Sequence, residues 1–334
     1  MENKTIYICN IKSGEKVCDS FLVTEKNLAF SQKGAPYLNV RLKDKTGELD
    51  GKVWDNAQEW DKAFKKGDIV RIESRSASYK NNVQLSIMTV KKLTDEEVHL
   101  DDYLPAARKS GEEMLAALMS LVESVHTPPL KALLAAFFQD DEIVALFQKA
   151  PAAKGFHHVY LGGLLEHTLS VTRLLDMVVA HYTGVDRDLL LTGGILHDIG
   201  KIYEFSYGRL IDYTDAGRLV GHIVMGAEMV DKKIDGLEDF PPHLAMKLRH
   251  IILSHHGDLE YGSPKRPKTL EALMVHFMDD LDAKVNAFQE FIAASPDDET
   301  DWTPYHRLLE RYIYKDRPRN NSAADVGEDD KKVW

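Results

Sequence analysis

Seven histidine and aspartate side chains lie at positions where helical periodicity would place core residues. His167 is on the apolar face of a strongly hydrophobic segment, residues 161–179, and His197 and Asp198 close the next such segment. The others follow apolar residues by three or four positions: His222, His255, His256 and Asp279. Buried polar groups need partners, and buried charges are paired or coordinate metals. A single histidine of this kind is more often a satisfied core residue, but the set as a whole favours a metal site.

Imidazole and carboxylate donors without thiolates indicate which metals such a site would hold. They suit Mn²⁺, Fe²⁺, Co²⁺, Ni²⁺ or Zn²⁺ better than Mg²⁺, which prefers oxygen ligands. The chain has only two cysteines, Cys9 and Cys18. We expect both to be reduced thiols, and their small number excludes a disulfide framework and a cysteine-based zinc finger.

Helical periodicity runs through the part of the chain that carries the seven residues. From about Lys109, apolar residues recur every three or four positions, and this pattern continues to about Tyr314. No strand-like alternation competes with it, so we expect an all-α helical bundle. The last residues, 316–334, are polar and aperiodic, which predicts a disordered tail.

The first 92 residues have a different pattern, that of short strands. Apolar and polar residues alternate in runs between turn residues, at 5–9, 18–23, 36–43, 47–54, 68–74 and 83–90. A short amphipathic helix is expected at 57–64. Five or six strands and one helix predict an all-β barrel of the OB-fold type.

The outer face of this barrel carries aromatic and cationic residues. Alternation along the third and fourth runs selects Tyr37, Arg41, Lys43, Lys52 and Trp54. Single-strand-binding barrels combine a cationic groove with aromatic rings on which bases stack. These residues are therefore candidate contacts to nucleic acid, and an ordinary solvated strand face is the alternative.

Charge divides along the same boundary. The 334-residue chain has a formal net charge of −11, which at first argues against a polyanionic partner. Residues 1–92, however, hold 17 Lys and Arg against 12 Asp and Glu, a balance of +5, so the rest of the chain carries −16. The split favours a mildly basic binding module joined to an acidic helical one.

The sequence shows no features of export or membrane insertion. No apolar run reaches the roughly 20 residues that span a bilayer, and the N-terminal residues lack the apolar region of a secretory signal. We therefore expect a cytoplasmic protein with no membrane partner. The sequence leaves the oligomeric state open, and a homo-oligomer is one option.

The order of the histidines and aspartates resembles that of the HD-domain metal-dependent phosphohydrolases. Their pattern H…HD…H…HH…D, with LHDIGK around the central pair, is present over about residues 150–290. Three longer segments, GFHHVYLGGLLEHTLSV, LSHHGDLEYGSP and TLEALMVHFMDDLDAKVN, resemble the YhaM-type 3′→5′ exoribonucleases, which also carry an N-terminal OB fold. Two features depart from the pattern: Met278 stands where a small residue is usual, and Lys265 and Arg266 stand where apolar residues are expected.

The resemblance implies a site for two divalent transition-metal ions, of which Mn²⁺ is expected first. One ion would take His167, His197, Asp198 and Asp279, and the other would take His222, His255 and His256, with Asp198 as the bridge. Two such ions activate a hydroxide for attack on phosphorus. The expected substrate is single-stranded RNA, with single-stranded DNA as a further one, and the expected products are 5′-mononucleotides.

Two other functions stay open at this point. An HD-domain phosphodiesterase could act on cyclic or polyphosphorylated small nucleotides, although the GYP signature of the cyclic-dinucleotide enzymes is absent. The second alternative is a nucleic-acid-binding protein with a vestigial HD site. The barrel argues against the first alternative, and the intact set of ligand residues argues against the second.

Residues close to the seven suggest further roles, each with a structural alternative. Lys201 lies one helical turn after Asp198, and we expect these two to be the catalytic residues, with Lys201 contacting the phosphate or the leaving oxygen. Asp282, one turn after Asp279, is expected to support a ligand histidine from behind. Further candidates for phosphate contact are His157, His158, Ser263, Lys265 and Arg266.

Together these patterns predict the domain organisation. We expect an OB-fold nucleic-acid-binding domain at residues 1–92, followed by an acidic linker at 93–108. A helical connector at 109–150 would pack on an HD-domain metallophosphohydrolase at 151–315. The polar tail at 316–334 has no predicted role.

Overall fold

A computed structural model of the protein describes residues 3–79, 82–104, 110–153, 160–207, 210–295 and 300–316. The chain forms two compact units, residues 1–283 and 284–334, and the boundary lies inside the longest helix. The protein is multidomain: an N-terminal closed five-stranded barrel with the expected OB-type architecture is followed by a helical part. The predicted fold class is therefore confirmed.

The barrel is closed in the strand order β1-β2-β3-β5-β4. Its strands are β1 (Lys16–Phe30), β2 (Pro36–Asp44), β3 (Gly47–Val53), β4 (Ile69–Tyr79) and β5 (Asn82–Leu93). Neighbouring strands are antiparallel except β3 and β5, which pair in parallel. The helix α1 (Ala57–Ala63) connects β3 to β4.

Alternation along the strands builds the core of the barrel. Leu38, Val40 and Leu42 of β2 are buried, while the residues between them face outwards and are partly exposed. They pack with Val17, Phe21 and other inward side chains of the neighbouring strands. The outward residues are thereby held in fixed register on a rigid sheet, which is the surface that the sequence assigns to binding.

The prediction of a strand at residues 5–9 is wrong. Residues 3–7 have no regular structure, and a short 3-10 helix covers Ile8–Asn10. The reason lies in side-chain acceptors: the backbone N–H groups of Thr5 and Ile6 donate to the Asp19 carboxylate, at 2.8 and 2.7 Å, and that of Ile8 donates to Asp44 at 2.8 Å. Carboxylates thus occupy donors that a strand would pair with a neighbouring backbone.

The helical part contains ten further helices among the described residues. They are α2 (Gly111–Glu123), α3 (Pro128–Phe138), α4 (Asp141–Lys149), α5 (Gly163–Val179), α6 (Arg187–Leu196), α7 (Lys201–Glu204), α8 (Asp215–Leu219), α9 (His222–Asp235), α10 (Pro242–Ser254) and α11 (Leu270–Ala294). Their starts follow sequence signals: Asp140 and Asp186 accept hydrogen bonds from the N-terminal backbone of α4 and α6, and a proline opens α3.

One apolar core joins these helices. Leu118, Leu130 and Phe147 of the first three helices lie fully buried in the same cluster as Leu190 of α6 and Ile251 of α10. The helices that precede residue 151 therefore pack directly on those that carry the histidines. Burial of this kind fixes the helix axes, and so fixes the positions from which the polar side chains project.

A small hairpin interrupts the helical pattern, contrary to the expectation that no strands compete with it. Strands β6 (Phe205–Tyr207) and β7 (Ile211–Tyr213) pair antiparallel between α7 and α8. Three residues per strand are too few for alternation to stand out in the sequence. Leu210, beside β7, packs against a separate apolar cluster that includes Leu22 and Ile69 of the barrel.

The helical pattern also ends earlier than predicted. Helix α11 stops at Ala294, two residues before Pro296, which disfavours helical backbone at the preceding residue. Within the second unit, Trp302 bridges to Tyr314 and His306 to Arg311 in antiparallel pairs. The expectation of helix up to Tyr314 is therefore wrong.

Among the described residues, no helix combines the length and the apolar character needed to cross a bilayer. Cys9 and Cys18 are both free.

Candidate metal centre

The seven residues selected from the sequence converge from the ends and faces of five helices. His167 lies in the middle of α5, and Asp279 lies on α11. His197 and Asp198 follow α6 directly, at the turn that leads into α7. His222 begins α9, and His255 and His256 follow the end of α10.

The ligand atoms fall into two groups that share Asp198. The atoms of each group lie within 4.8 Å of one another: one group is His167, His197, Asp198 and Asp279, and the other is Asp198, His222, His255 and His256. The two oxygens of Asp198 divide between the groups. Oδ2 is 3.3 Å from His197 Nε2, whereas Oδ1 is 3.4 Å from His255 Nε2 and 3.5 Å from His222 Nε2. This is the arrangement that a bridging carboxylate would have.

Buried atoms without partners indicate that the second group fits a cation. Asp198 Oδ1, His222 Nε2 and His255 Nε2 are buried, and none of the three has a hydrogen-bond partner among the residues that the structure describes. Leaving such atoms unpaired in a protein interior costs on the order of 1–3 kcal/mol each. Nitrogen and oxygen donors at this spacing suit a divalent transition metal, which would satisfy all three atoms.

All five histidines are oriented by a partner on Nδ1, which leaves Nε2 directed into the centre. Three of these partners are backbone carbonyl oxygens: Gly194 for His197 at 2.8 Å, Ile252 for His255 at 2.7 Å and Tyr261 for His256 at 2.9 Å. A carbonyl oxygen only accepts, so Nδ1 carries the proton and Nε2 presents its lone pair. The chain thus fixes the tautomer that metal binding needs.

Carboxylates hold the other two histidines, one in each group. Asp282 lies 2.8 Å from His167 Nδ1, in the supporting position that the sequence suggests for it, and also accepts from Ser170. Glu204 lies 3.0 Å from His222 Nδ1 and accepts from the His222 backbone N–H at 3.0 Å.

Sequence reasoning missed Glu204, which is buried at 6 % exposure. It lies 18 residues before His222, and no periodicity links the two positions. The only available signal is its place on the same short helix as Lys201, after the LHDIGK motif.

Lys201 is buried against Asp198, with 2.6 Å between Nζ and Oδ2. Burial alone would lower the pKa of Lys201, but the charges of Asp198 and Asp279 outweigh it and raise that pKa above its usual value. Burial would likewise raise the pKa of Asp198, but the positive charge of Lys201 holds it well below the ordinary range. The pair is therefore ionised at neutral pH and places one positive charge beside the centre.

The pKa values of His167 and His256 are shifted in opposite directions. Burial would lower the pKa of His167, but hydrogen bonds to Asp279 and Asp282 raise it to about 9. For His256, burial and the neighbouring His255 and His222 lower the pKa to about 3. At neutral pH the first imidazole carries a proton that a metal must displace, whereas the second is already neutral.

The turn after α10 contains three of the candidates for phosphate contact, Ser263, Lys265 and Arg266. The structure gives one of them, Ser263, a structural role. The Ser263 hydroxyl is buried and lies 3.0 Å from the Leu253 carbonyl oxygen and 2.7 Å from that of Lys265, so it holds the turn together. Arg266 is exposed and pairs with Asp258 at 3.1 Å, and Lys265 is exposed. His157 and His158 lie outside the described residues.

On the barrel, the five candidate residues separate into two kinds. The rings of Tyr37 and Trp54 stack with centroids 5.0 Å apart, and Lys52 Nζ lies 5.3 Å from each of them. Arg41 instead pairs with Asp50 at 3.1 Å, and Lys43 lies 3.7 Å from Glu48.

A further aromatic residue, Tyr79 at the end of β4, lies near the same lysine as the stacked pair. It lies 5.8 Å from Lys52 Nζ and is 56 % exposed. Alternation after Arg75 and Ala77 could have found it. We call the three rings of Tyr37, Trp54 and Tyr79, together with the Lys52 ammonium group that lies near all of them, the aromatic cluster.

Known protein families match both the barrel and the helical part of the chain. Residues 164–284 match the family described as HD domain, and residues 22–93 match the one described as OB-fold nucleic acid binding domain. The 3′-5′ exoribonuclease YhaM of Bacillus subtilis (strain 168) is 32 % identical over 274 residues, which cover 82 % of this chain and 86 % of that protein.

Solved structures with partial similarity are also known. The second OB-fold domain of replication protein A from Methanococcus maripaludis is 18 % identical, covers 27 % of this chain and 95 % of its own, and gives a TM-score of 0.23. The single-stranded DNA binding protein from Thermus aquaticus is 16 % identical, covers 29 % of this chain and 44 % of its own, and gives a TM-score of 0.22. The level and extent of the identity to YhaM, together with both domain matches, show that this chain belongs to the YhaM family of OB-fold and HD-domain proteins.

Proposed function

We propose that this protein is a two-metal 3′→5′ exoribonuclease that degrades single-stranded RNA to 5′-mononucleotides. The observation that carries the proposal is the division of Asp198 between two groups of ligand atoms, three of which are buried without a hydrogen-bond partner in the described part of the chain. Its family membership supports the same activity, because YhaM of Bacillus subtilis is a 3′-5′ exoribonuclease. Single-stranded DNA is a further candidate substrate of the same site.

Each metal position would be held by residues whose orientation is already set. His167, His197 and Asp279 would hold one ion, His222, His255 and His256 would hold the other, and Asp198 would bridge them. Divalent ions bound there would lower the pKa of a water molecule and offset the negative charge of the phosphate. We expect Mn²⁺ first, as the resemblance to the family implies, and the imidazole and carboxylate donors would also suit Fe²⁺, Co²⁺, Ni²⁺ or Zn²⁺.

The protein's own residues would bind and orient the phosphate. Lys201 holds an ammonium group 2.6 Å from Asp198 Oδ2, so a phosphate oxygen beside Asp198 would meet a fixed positive charge. Asp282 and Glu204 keep His167 and His222 in place, which spares the site any reorganisation when substrate enters. The aromatic cluster of the barrel would stack bases without selecting a sequence.

One experiment separates this function from its alternatives. The purified protein, supplied with Mn²⁺, is incubated in parallel with 5′-labelled single-stranded RNA, the matching DNA, a cyclic dinucleotide and a guanosine polyphosphate. We expect a ladder of RNA shortened one nucleotide at a time from the 3′ end, with release of 5′-mononucleotides. Turnover of the small nucleotides alone would contradict the proposal, and binding of RNA without any turnover would point to a vestigial site.

Asp198→Asn supplies the matched control for that experiment. It keeps the shape of the side chain but removes the charge that both groups share. We expect cleavage to fall by at least a factor of about 10³, as for loss of a central catalytic group. Cleavage at the wild-type rate would mean that the RNA is cut elsewhere.

A further inference from the structure

Two clefts of about 440 Å³ each meet at a single turn of the barrel, the one between α1 and β4. The first cleft is lined by outward residues of the barrel strands, including Asn27, Asn39 and Gln84. The second is lined by Lys65, Gly67, Asp68, Lys92, Asp95 and Leu210. Lys66 lines both clefts, so its side chain borders the two of them.

The turn carries positive charge that the described part of the chain leaves uncompensated. Lys65 and Lys66 are exposed, and neither has a described carboxylate within 4 Å of its Nζ. By contrast, Arg41 in the first cleft pairs with Asp50 at 3.1 Å, and Lys92 in the second pairs with Asp68 at 2.9 Å. Because Asp68 is paired with Lys92, Lys65 and Lys66 outnumber the remaining acidic residue of the second cleft, Asp95, and their exposed ammonium groups are suited to the backbone phosphates of a single strand.

The second cleft is a shallow, open depression, and Leu210, which directly precedes the second strand of the hairpin, lines it. Leu210 packs against Leu22 and Ile69 of the barrel, and a Cβ atom on Gly67 would meet its Cδ1 at 3.4 Å, an ordinary contact distance. Barrel and hairpin are thus in contact where the two lysines lie.

The same hairpin leads back to the metal centre. Its first strand begins directly after Glu204, which binds His222, and Thr214 at its other end donates its backbone N–H to the Glu204 carbonyl at 2.9 Å. Strands of three residues span about 10 Å. The hairpin therefore connects the lysine turn with a residue that touches a candidate ligand.

We propose that single-stranded RNA passes from the barrel cleft over Lys65 and Lys66 and along the β6–β7 hairpin to the metal centre. The two ammonium groups bind backbone phosphates and hold the strand between its stacked bases and its 3′ end. This path rests on the proposed function, since it needs RNA as the substrate. It assigns to Lys65 and Lys66 a positioning role in the binding of long substrates, separate from the cleavage chemistry.

Binding of a long strand tests the path. The Mn²⁺-loaded full-length protein is titrated, by fluorescence polarisation, into a phosphorothioate-linked RNA of about 20 nucleotides, longer than the roughly 4–16 that one OB fold covers. The titration is repeated over a range of salt concentrations. For Lys65→Ala/Lys66→Ala we expect weaker binding and a slope of log K against log salt that is smaller by about 1.4, the value for two phosphate contacts on a single strand.

Two controls separate the path from general electrostatics and from damage to the site. Lys62→Ala removes an exposed lysine of α1, close in sequence but outside both clefts, and should lower the slope far less. Hydrolysis of a dinucleotide, which is too short to reach the turn, should stay within about two-fold of wild type in the double variant. Equal effects of Lys62→Ala and of the double variant would overturn the path, and so would an unchanged slope in the double variant. If the wild-type protein bound no RNA, the proposed function would fail and the path with it.

Discussion

The Glu204 carboxylate accepts two hydrogen bonds from His222, one from Nδ1 and one from the backbone N–H, both at 3.0 Å. The pair matches Asp282 and His167 on the other side of the centre, which are 2.8 Å apart. Each group of ligand atoms therefore contains one histidine supported by a carboxylate. Such partners fix the ring, hold the proton on Nδ1 and increase the basicity of the ligand nitrogen.

Removing the Glu204 carboxylate should weaken metal binding at one of the two positions and leave metal binding at the other unchanged. For Glu204→Ala we expect a 10- to 100-fold loss of affinity at the position of His222, because loss of such a partner typically has this effect. Glu204→Gln keeps an acceptor oxygen and should lose less. Isothermal titration with Mn²⁺ measures both positions.

The control for this comparison is Glu123→Gln, which neutralises an exposed glutamate at the end of α2. It should bind Mn²⁺ like the wild type. Glu204 would have no role in holding the metal if Glu204→Ala bound two ions with unchanged affinity.

Metal uptake should release a proton from His167. In the metal-free protein its pKa is about 9, so the imidazole is protonated at pH 7, and a metal on Nε2 must displace that proton. Apparent affinity should therefore rise with pH up to about 9. Titrations at pH 7 in buffers of different ionisation enthalpy measure the proton count. Asp282→Asn, which removes one cause of the raised pKa, should lower the number released.

The same pKa predicts how the stability of the metal-free protein depends on pH. The folded state keeps the His167 proton up to about pH 9, whereas an unfolded histidine loses it near 6.5. The contribution of His167 is therefore complete below about pH 6.5 and lost between 6.5 and 9. Urea unfolding should show this alkaline decline, and Asp282→Asn should flatten it. A decline of equal steepness in that variant would contradict the assignment to His167.

Gly200 is expected to tolerate no side chain. A Cβ atom there would lie 2.1 Å from the His222 carbonyl oxygen and 2.6 Å from the Gly226 backbone nitrogen, so α7 and α9 would have to separate. We expect Gly200→Ala to cost about 3 kcal/mol or more of unfolding free energy, the upper end for overpacking. The matched control is Gly111→Ala at the start of α2, where a Cβ atom would meet no described atom within 4 Å and stability should hold or rise slightly. Similar unfolding midpoints for the two variants would show that α7 and α9 are not packed this closely.

Trp54 should contribute to RNA binding by stacking. It is 49 % exposed and already stacked on Tyr37, so a base can extend the stack. Loss of a base–aromatic contact costs about 1–3 kcal/mol, so Trp54→Ala should weaken binding of single-stranded RNA roughly 5- to 150-fold. Tyr182→Ala, which removes an exposed ring beyond α5, should leave the dissociation constant unchanged. If both variants bound equally well, the aromatic cluster would not be part of the RNA site.

Periodicity in the sequence was sufficient for the large elements. The alternation of Leu38, Val40 and Leu42 predicted a strand and its buried face. The apolar stripe that includes His167 predicted a helix and the face that it turns towards the core. These patterns are visible because each element buries one continuous face. The resemblance to a known family then grouped the ligands around Asp198, which spacing alone does not do.

Contacts between distant segments were not accessible in this way. Glu204 binds His222 through the packing of α7 on α9, and the Asp19 carboxylate captures backbone donors 13 and 14 residues earlier. The β6–β7 hairpin is too short to produce a pattern, yet it places Leu210 against Gly67. Such features depend on tertiary packing, which one sequence does not display.

The two-metal centre is tested most directly by anomalous X-ray scattering at the Mn absorption edge, on crystals of the protein grown with Mn²⁺. We expect two peaks per chain, one among His167, His197, Asp198 and Asp279 and the other among Asp198, His222, His255 and His256. A single peak, or none within either group of side chains, would contradict the two-metal centre.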